Sequence, residues 1–170
     1  KGDSEIRFTS PLESVGYVDM TLDVIRRAGI EIEEIKNGFK IRGSQSYRRQ
    51  ITAVEADWSG AAFWYAMNAL GCRIAVDGLC ESSAQPDRAI SKMLPELAGR
   101  VDVSQCPDIF PVLSVVAAAR PGRTVFSGIR RLRLKECDRV AAMEDVLSRF
   151  GAKVEASEGE FKVDGTGGVF

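Results

Sequence analysis

Histidine is absent from all 170 residues. That absence excludes Ser–His and Cys–His catalytic couples and every zinc site that uses imidazole. Any catalysis here must draw on carboxylate, lysine, arginine, tyrosine or thiol groups. Cysteine is scarce as well: Cys72, Cys80, Cys106 and Cys137 form no Cys-x-x-Cys pair. Zinc-ribbon and thioredoxin-like chemistry therefore lack support, and four thiols do not make a disulfide scaffold. A reducing, cytoplasmic setting with free thiols is the expectation. No apolar run approaches the roughly 20 residues that span a bilayer, and Lys1-Gly2-Asp3-Ser4 has no apolar signal core. The net charge is −1, so no global basic field draws nucleic acid or anionic membrane, and any anion site must be local.

What is present is ordinary for a globular α/β chain: 45% hydrophobic and 28% charged residues. Glu5–Thr9 alternates as a strand, and Tyr17–Ala28 carries apolar residues at helical spacing up to Gly29. Asn37-Gly38 signals a hairpin between Ile30–Ile35 and Phe39–Arg42. Gln50–Val54 reads as a strand. Asp57 is placed to cap a helix over Ser59–Leu70 that is apolar almost all round, and deep burial is expected for it. Trp58 and Trp64 are assigned to the core. Further on come a strand over Cys72–Val76, a helix over Gln85–Leu97, a short strand over Val101–Val103, and a buried helix over Pro107–Ala119. Thr124–Ser127 is a strand, Lys135–Phe150 an amphipathic helix, and Ala152–Ala156 with Glu160–Val163 a closing hairpin.

Part of this order repeats. Asp23 to Gly43 aligns without gaps on Asp145 to Gly165, at a constant offset of 122, with eight identities in 21 positions. Both copies read helix, glycine stop, hairpin, as in stacked βαβαββ units, the first copy truncated at its start. The same offset maps Ser14 onto Glu136 and Tyr17 onto Arg139 where the helices begin.

Three clusters could carry chemistry. Arg130 to Arg139 packs five cations and two carboxylates into ten residues. With a helix starting near Lys135, Lys135 and Arg139 share a face at i, i+4, and Glu136 neighbours Arg139 at i, i+3. Free backbone N–H groups and the positive dipole end would add to a phosphate or carboxylate site. Glu136 is a candidate proton donor if closure raises its pKa. The same residue types also describe a solvated, salt-bridged helix start. Asp108, after Cys106-Pro107, is a candidate general base, or simply a favourable charge at a helix N-terminus. Ser14 and Tyr17, one turn apart, are candidates for a polar ligand, or a cap and a core tyrosine. Cys137 lies among cations that can lower a thiol pKa, though a bystander role suits it equally.

Taken together, four segments resemble the 5-enolpyruvylshikimate-3-phosphate synthase family: Ser10 to Leu22, Val54-Glu55-Ala56-Asp57, Pro107-Asp108, and Leu132-Arg133-Leu134-Lys135-Glu136-Cys137-Asp138-Arg139. The resemblance covers essentially the whole chain. It implies an incomplete inside-out α/β barrel of βαβαββ units, with residues 1–54 ending one globular half and 55–170 forming two units of the other. It implies transfer of the enolpyruvyl group of phosphoenolpyruvate to the 5-hydroxyl of shikimate 3-phosphate, releasing phosphate, with no cofactor and no metal. By that analogy Asp108 helps take the hydroxyl proton, Glu136 handles the methylene proton, and Lys135 bridges the reacting groups. Arg139 grips the phosphoenolpyruvate carboxylate, while Ser14 and Tyr17 contact the shikimate phosphate side. Arg131 stands where some relatives carry a phosphate-contacting Asn. Glyphosate is the implied inhibitor. Members of the family are more than twice as long, so several phosphate-binding groups lie outside this chain. The isolated chain is expected to be inactive or nearly so. The alternatives are the related UDP-N-acetylglucosamine enolpyruvyl transferase and a non-catalytic anion-binding module.

Overall fold

A computed structural model describes residues 2–48 and 53–168. The chain divides into two compact units, Lys1–Val54 and Glu55–Phe170. Each is built around a sheet.

In the first unit, β1 (Ser4–Arg7), α1 (Val15–Arg27), β2 (Ile32–Ile35) and β3 (Gly38–Ile41) follow one another. The sheet order is β1-β3-β2, antiparallel throughout. The hairpin turn is Lys36-Asn37, with Asn37 supplying the left-handed conformation at φ 63°. Gly38 already belongs to β3. A Cβ there would run into the Ile6 carbonyl, so glycine is required for β1 to pair this closely.

The second unit begins with α2 (Trp58–Ala69). Asp57 caps it, its carboxylate accepting from the Ser59 and Gly60 amides at 3.0 Å each. A 3₁₀ turn, Pro86–Ala89, leads into the short α3 (Ile90–Met93). One complete βαβαββ unit follows: β4 (Gly99–Asp102), α4 (Phe110–Ala119), β5 (Pro121–Ser127), α5 (Arg139–Arg149), β6 (Lys153–Ala156) and β7 (Glu160–Thr166). The strand order is β4-β5-β7-β6, with β4 parallel to β5 and the remaining pairs antiparallel. Its centre is Phe110, edge-to-face with Phe126 at 5.5 Å and with Phe161 at 5.3 Å.

Several expectations need correction. The strand over Gln50–Val54 falls mostly outside the described residues, and Ala53 and Val54 carry no strand. Cys72–Val76 is not a strand. Instead the Asn68 amide holds Ile74 at both backbone groups, at 2.7 and 2.8 Å, as a neighbouring strand would. Among the described residues one complete βαβαββ unit is assembled after residue 54, where two were expected, because residues 55–98 pair into no sheet. The helix α2 is not buried all round: Trp58, Ala61, Ala62 and Ala66 form its buried stripe. Phe63 and Trp64 are 63% and 48% exposed, so Trp64 is not core. Apolar composition on every side of a helix cannot tell which side finds a neighbour. All four cysteines are free thiols. Among the described residues no helix is long and apolar enough to cross a membrane.

Candidate active site

Asp108 and the Lys135–Arg139 segment are far apart in sequence and meet because β4 and β5 are parallel neighbours. Parallel strands point their C-terminal ends the same way, and the loops leaving those ends form a crevice. The β4 loop turns at Asp102, whose carboxylate accepts from the Ser104 amide at 2.9 Å, and then enters a 3₁₀ turn, Pro107–Ile109, that carries Asp108. The β5 loop crosses it at Gly128, where a Cβ would run into Asp102 Oδ1 and sit 2.7 Å from the Ser104 nitrogen. Only glycine fits there. Beyond it, a 3₁₀ turn over Arg130–Leu134 is anchored by the fully buried Ile129 and Leu132. That anchoring turns the arginines between and beside them outward.

The expected helix start at Lys135 is a second correction. Lys135 is extended, at φ −79° and ψ −163°, and α5 begins only at Arg139. Asp138 decides the start. Its carboxylate accepts from the Ala141 amide at 2.9 Å, which makes it the N-cap. Lys135 and Arg139 therefore do not share a helical face. They converge on Asp108 from a loop and from the first residue of a helix.

Lys135 Nζ lies 3.2 Å from Asp108 Oδ1, and Arg139 Nη1 lies 2.5 Å from the same oxygen. The other prong of Arg139, Nη2, donates to Glu136 at 2.9 Å. Partial burial of Asp108 opposes its ionisation. The hydrogen bonds and charges of Arg139 and Lys135 outweigh it and hold the carboxyl below its ordinary value. Glu136 is also held low, first by its backbone hydrogen bond and then by Arg139. Its side chain is 79% exposed. In this arrangement Glu136 is an ionised carboxylate, opposite to the raised pKa expected of a proton donor.

The other cations are engaged too. Arg130 pairs with Glu158 at 2.7 Å. Arg133 pairs with Asp138 at 3.1 Å and donates to the Ser157 carbonyl at 2.8 Å. Arg131 sits exposed on the same 3₁₀ turn. In the first unit Ser14 is buried in the left-handed region at φ 55°, and its side chain does not cap α1. Its carbonyl accepts from the amide of the half-buried Tyr17 at 3.2 Å. An open cleft of about 580 Å³ in this unit is lined by Phe8, Leu12, Val15 and Phe39 among others, but by neither Ser14 nor Tyr17. Charge convergence, not cavity size, marks the candidate site. Among the described residues no group of three or more Cys, Asp or Glu side chains is placed to hold a metal ion.

Sequence reasoning missed a polar cluster at the start of α2. The buried Gln85 side chain accepts from the Trp58 amide at 2.8 Å and donates to the Ala56 carbonyl at 2.9 Å. Ser59 donates to the buried Asp87. Two polar side chains flanking Pro86, just before an apolar stretch, were the available signal.

The family model of EPSP synthase (3-phosphoshikimate 1-carboxyvinyltransferase) matches residues 1–102 and 92–167. The chain belongs to the EPSP synthase family. The family's 3-phosphoshikimate 1-carboxyvinyltransferase from Clostridium acetobutylicum is 40% identical across 97% of this chain and 43% of its own length. The one from Clostridioides difficile is 37% identical across 97% and 42%. The chain thus spans less than half the length of these curated relatives. An EPSP synthase structure from Acinetobacter baumannii superimposes with a TM-score of 0.79 at 21% identity, covering 98% of this chain and 44% of that one. A second structure from that organism gives 0.76 at 19% identity. These likenesses establish the α/β fold of an EPSP synthase part.

Proposed function

We propose that these residues supply part of an active site that transfers the enolpyruvyl group of phosphoenolpyruvate to the 5-hydroxyl of shikimate 3-phosphate. The observation that carries the reading is Asp108 held between Lys135 and Arg139, with Glu136 on the second prong of Arg139. The 5-hydroxyl oxygen bonds to C2 of phosphoenolpyruvate while a proton adds to its methylene. The tetrahedral adduct then loses one proton of the new methyl group together with phosphate. Asp108 is ionised at neutral pH and takes the hydroxyl proton once the substrate oxygen replaces Arg139 beside it. Arg139 has a planar fork suited to the phosphoenolpyruvate carboxylate, and Asp108 and Glu136 fill that fork now. Lys135, next to Asp108, favours the charge that develops between the reactants. Glu136 handles the methylene proton, which requires closure to exclude water and raise its pKa above the open-site value.

Ser14, Tyr17 and Arg131 are assigned to shikimate 3-phosphate. A serine held left-handed costs about 1–2 kcal/mol, and such strain is concentrated at ligand-binding positions. No cofactor or metal enters the scheme. A cytoplasmic location and inhibition by glyphosate, which competes with phosphoenolpyruvate, belong to the same reading. Because less than half of each relative is represented, the 170 residues are assigned weak or no turnover by themselves.

Calorimetric titration of shikimate 3-phosphate, alone and with glyphosate, tests the reading in this chain and in a full-length enzyme containing it. Cooperative binding of both by the full-length enzyme, and of neither by this chain, is expected. If shikimate 3-phosphate binds to neither protein, the substrate is wrong, and the UDP-N-acetylglucosamine reaction or a non-catalytic anion-binding role takes its place.

A further inference from the structure

We propose that Arg133 and Asp138 form a clasp that presses the intervening loop against Asp108, making Arg133 a positioning residue for the Lys135–Arg139 cluster. The proposal rests on the reading of Lys135 and Arg139 as ligand-binding groups only for its functional consequence; the clasp itself is geometric.

Asp138 divides its two oxygens. Oδ1 caps α5 at the Ala141 amide, and Oδ2 takes Arg133 Nη1 at 3.1 Å. Arg133 likewise divides its fork, with Nη2 donating 2.8 Å to the Ser157 carbonyl at the turn between β6 and β7. One guanidinium therefore ties together three separately built parts: the 3₁₀ turn after β5, the start of α5, and the far hairpin. The pair closes a loop of only four intervening residues, Leu134 to Cys137. Within it Leu134 is 84% exposed, so no apolar anchor holds its tip. The buried Leu132 and Val140 fix the chain on either side. The loop between them, which carries Lys135 and Glu136, depends on polar ties for its path. Lysine could not replace Arg133, because a single ammonium lacks the planar two-pronged geometry. The outlying Arg130 differs. It pairs with the exposed Glu158, and that pair does not span the Leu134–Cys137 loop.

The carboxyl of Asp108 reports the position of Lys135 and Arg139 without any substrate. Its titration midpoint, followed by carbon-13 NMR in the 170-residue chain, is the readout. The charged groups gathered about it are Lys135 and Arg139, with Glu136 on the far prong of Arg139. In Arg133→Met the midpoint is expected to rise by roughly one pH unit, part of the 1–3 units an adjacent cation confers. Asp138→Asn keeps the capping oxygen and removes the negative charge. If Arg133 and Asp138 act only as distant charges, these two variants must shift the midpoint in opposite directions. Loss of a clasp shifts both upward. Arg130→Met deletes the same charge from the same turn and should leave the midpoint nearly in place. Arg133→Lys, the variant least disruptive to folding, should rise part of the way. Opposite signs for Arg133→Met and Asp138→Asn, or equal shifts for Arg133→Met and Arg130→Met, overturn the clasp. Titration of phosphoenolpyruvate into the full-length enzyme separates the two readings. An upward Asp108 shift with unchanged phosphoenolpyruvate affinity upholds the clasp and refutes the assignment of Arg139.

Discussion

The two copies of the repeat share a scaffold and differ in what they mount at one end of it. Both helices finish in the same Schellman motif. Gly29 donates to the Arg26 carbonyl and Ile30 to that of Ile25; Gly151 donates to Ser148 and Ala152 to Leu147. Both place an Arg–Asp i, i+4 pair on the last turns, Arg27 with Asp23 and Arg149 with Asp145. The hairpins pair in the same register, Ile32 with Ile41 and Val154 with Val163. At the opposite end the copies part. The first enters its helix through Ser14 and Tyr17, the second through a longer loop carrying Lys135 and Glu136 that delivers Arg139 at the first helical position. Shared packing at the closed end leaves the open end free to vary, so one architecture can present a hydroxyl pair or an ionic cluster.

The largest expected effect breaks that difference at its ionic end. In the full-length enzyme, Asp108→Asn should lower turnover by about 10²–10⁴-fold, the usual worth of a general base. Phosphoenolpyruvate affinity should hold or tighten, because the substitution removes a competing anion from beside Lys135 and Arg139. Steady-state kinetics that show a weakened KM with intact turnover would make Asp108 a structural group instead. The same carboxyl carries a pH signature. Its folded pKa lies below the ordinary 3.8, so its stabilising contribution is complete above that value and fades as pH falls through the lower folded pKa. Asp138 and Glu136, also held low, act in the same sense. Acid unfolding of the Asp108→Asn variant should consequently be less steep below about pH 4.

Next in size is a comparison of equivalent core positions. Phe39 and Phe161 occupy the same repeat position. Phe161 is fully buried against Phe110, whereas Phe39 is half-buried with one edge contact, to Phe8 at 5.4 Å. Phe161→Ala should cost about 3–5 kcal/mol, and Phe39→Ala about 1–2 kcal/mol, in line with a partly exposed ring. Both tryptophans lie in the second unit, so fluorescence in urea follows that unit alone, and circular dichroism follows the whole chain. Equal losses would mean that the first copy hides more of its core than its exposure indicates.

Much of this architecture was legible in the sequence because it is local. Gly29 and Gly151, the Asp57 cap and the closing hairpin all act within a few residues. The repeat added long-range information by showing that two distant segments must fold alike. The site was legible as residues but not as geometry. That Asp108 meets Arg139, 31 positions away, depends on β4 lying beside β5, a pairing that no local pattern encodes. The start of α5 was misplaced by several residues because a run of charge concealed the stronger signal, the capping Asp138. The exposure of Trp64 was illegible for a different reason: burial is a property of neighbours, and α2 is apolar on every side.

The smallest expected effect sharpens the comparison at the closed end. Gly29 and Gly151 have φ of 84° and 83°, conformations that cost an L-residue about 1–2 kcal/mol. Were the motifs identical in surroundings, alanine would cost the same in both. They are not. A Cβ at Gly151 meets open space, while one at Gly29 comes within 3.0 Å of Arg48 Cδ. The arginine side chain can swing aside, so Gly29→Ala should exceed Gly151→Ala by only a few tenths of a kcal/mol, within the ~0.5 kcal/mol range of ordinary surface adjustments. Chemical denaturation of the two single variants measures the gap. The double variant Gly29→Ala with Arg48→Ala should close it, since removing the side chain leaves only the backbone cost common to both copies. A gap that survives removal of Arg48 would locate the difference in the backbone of the first copy rather than in what covers it.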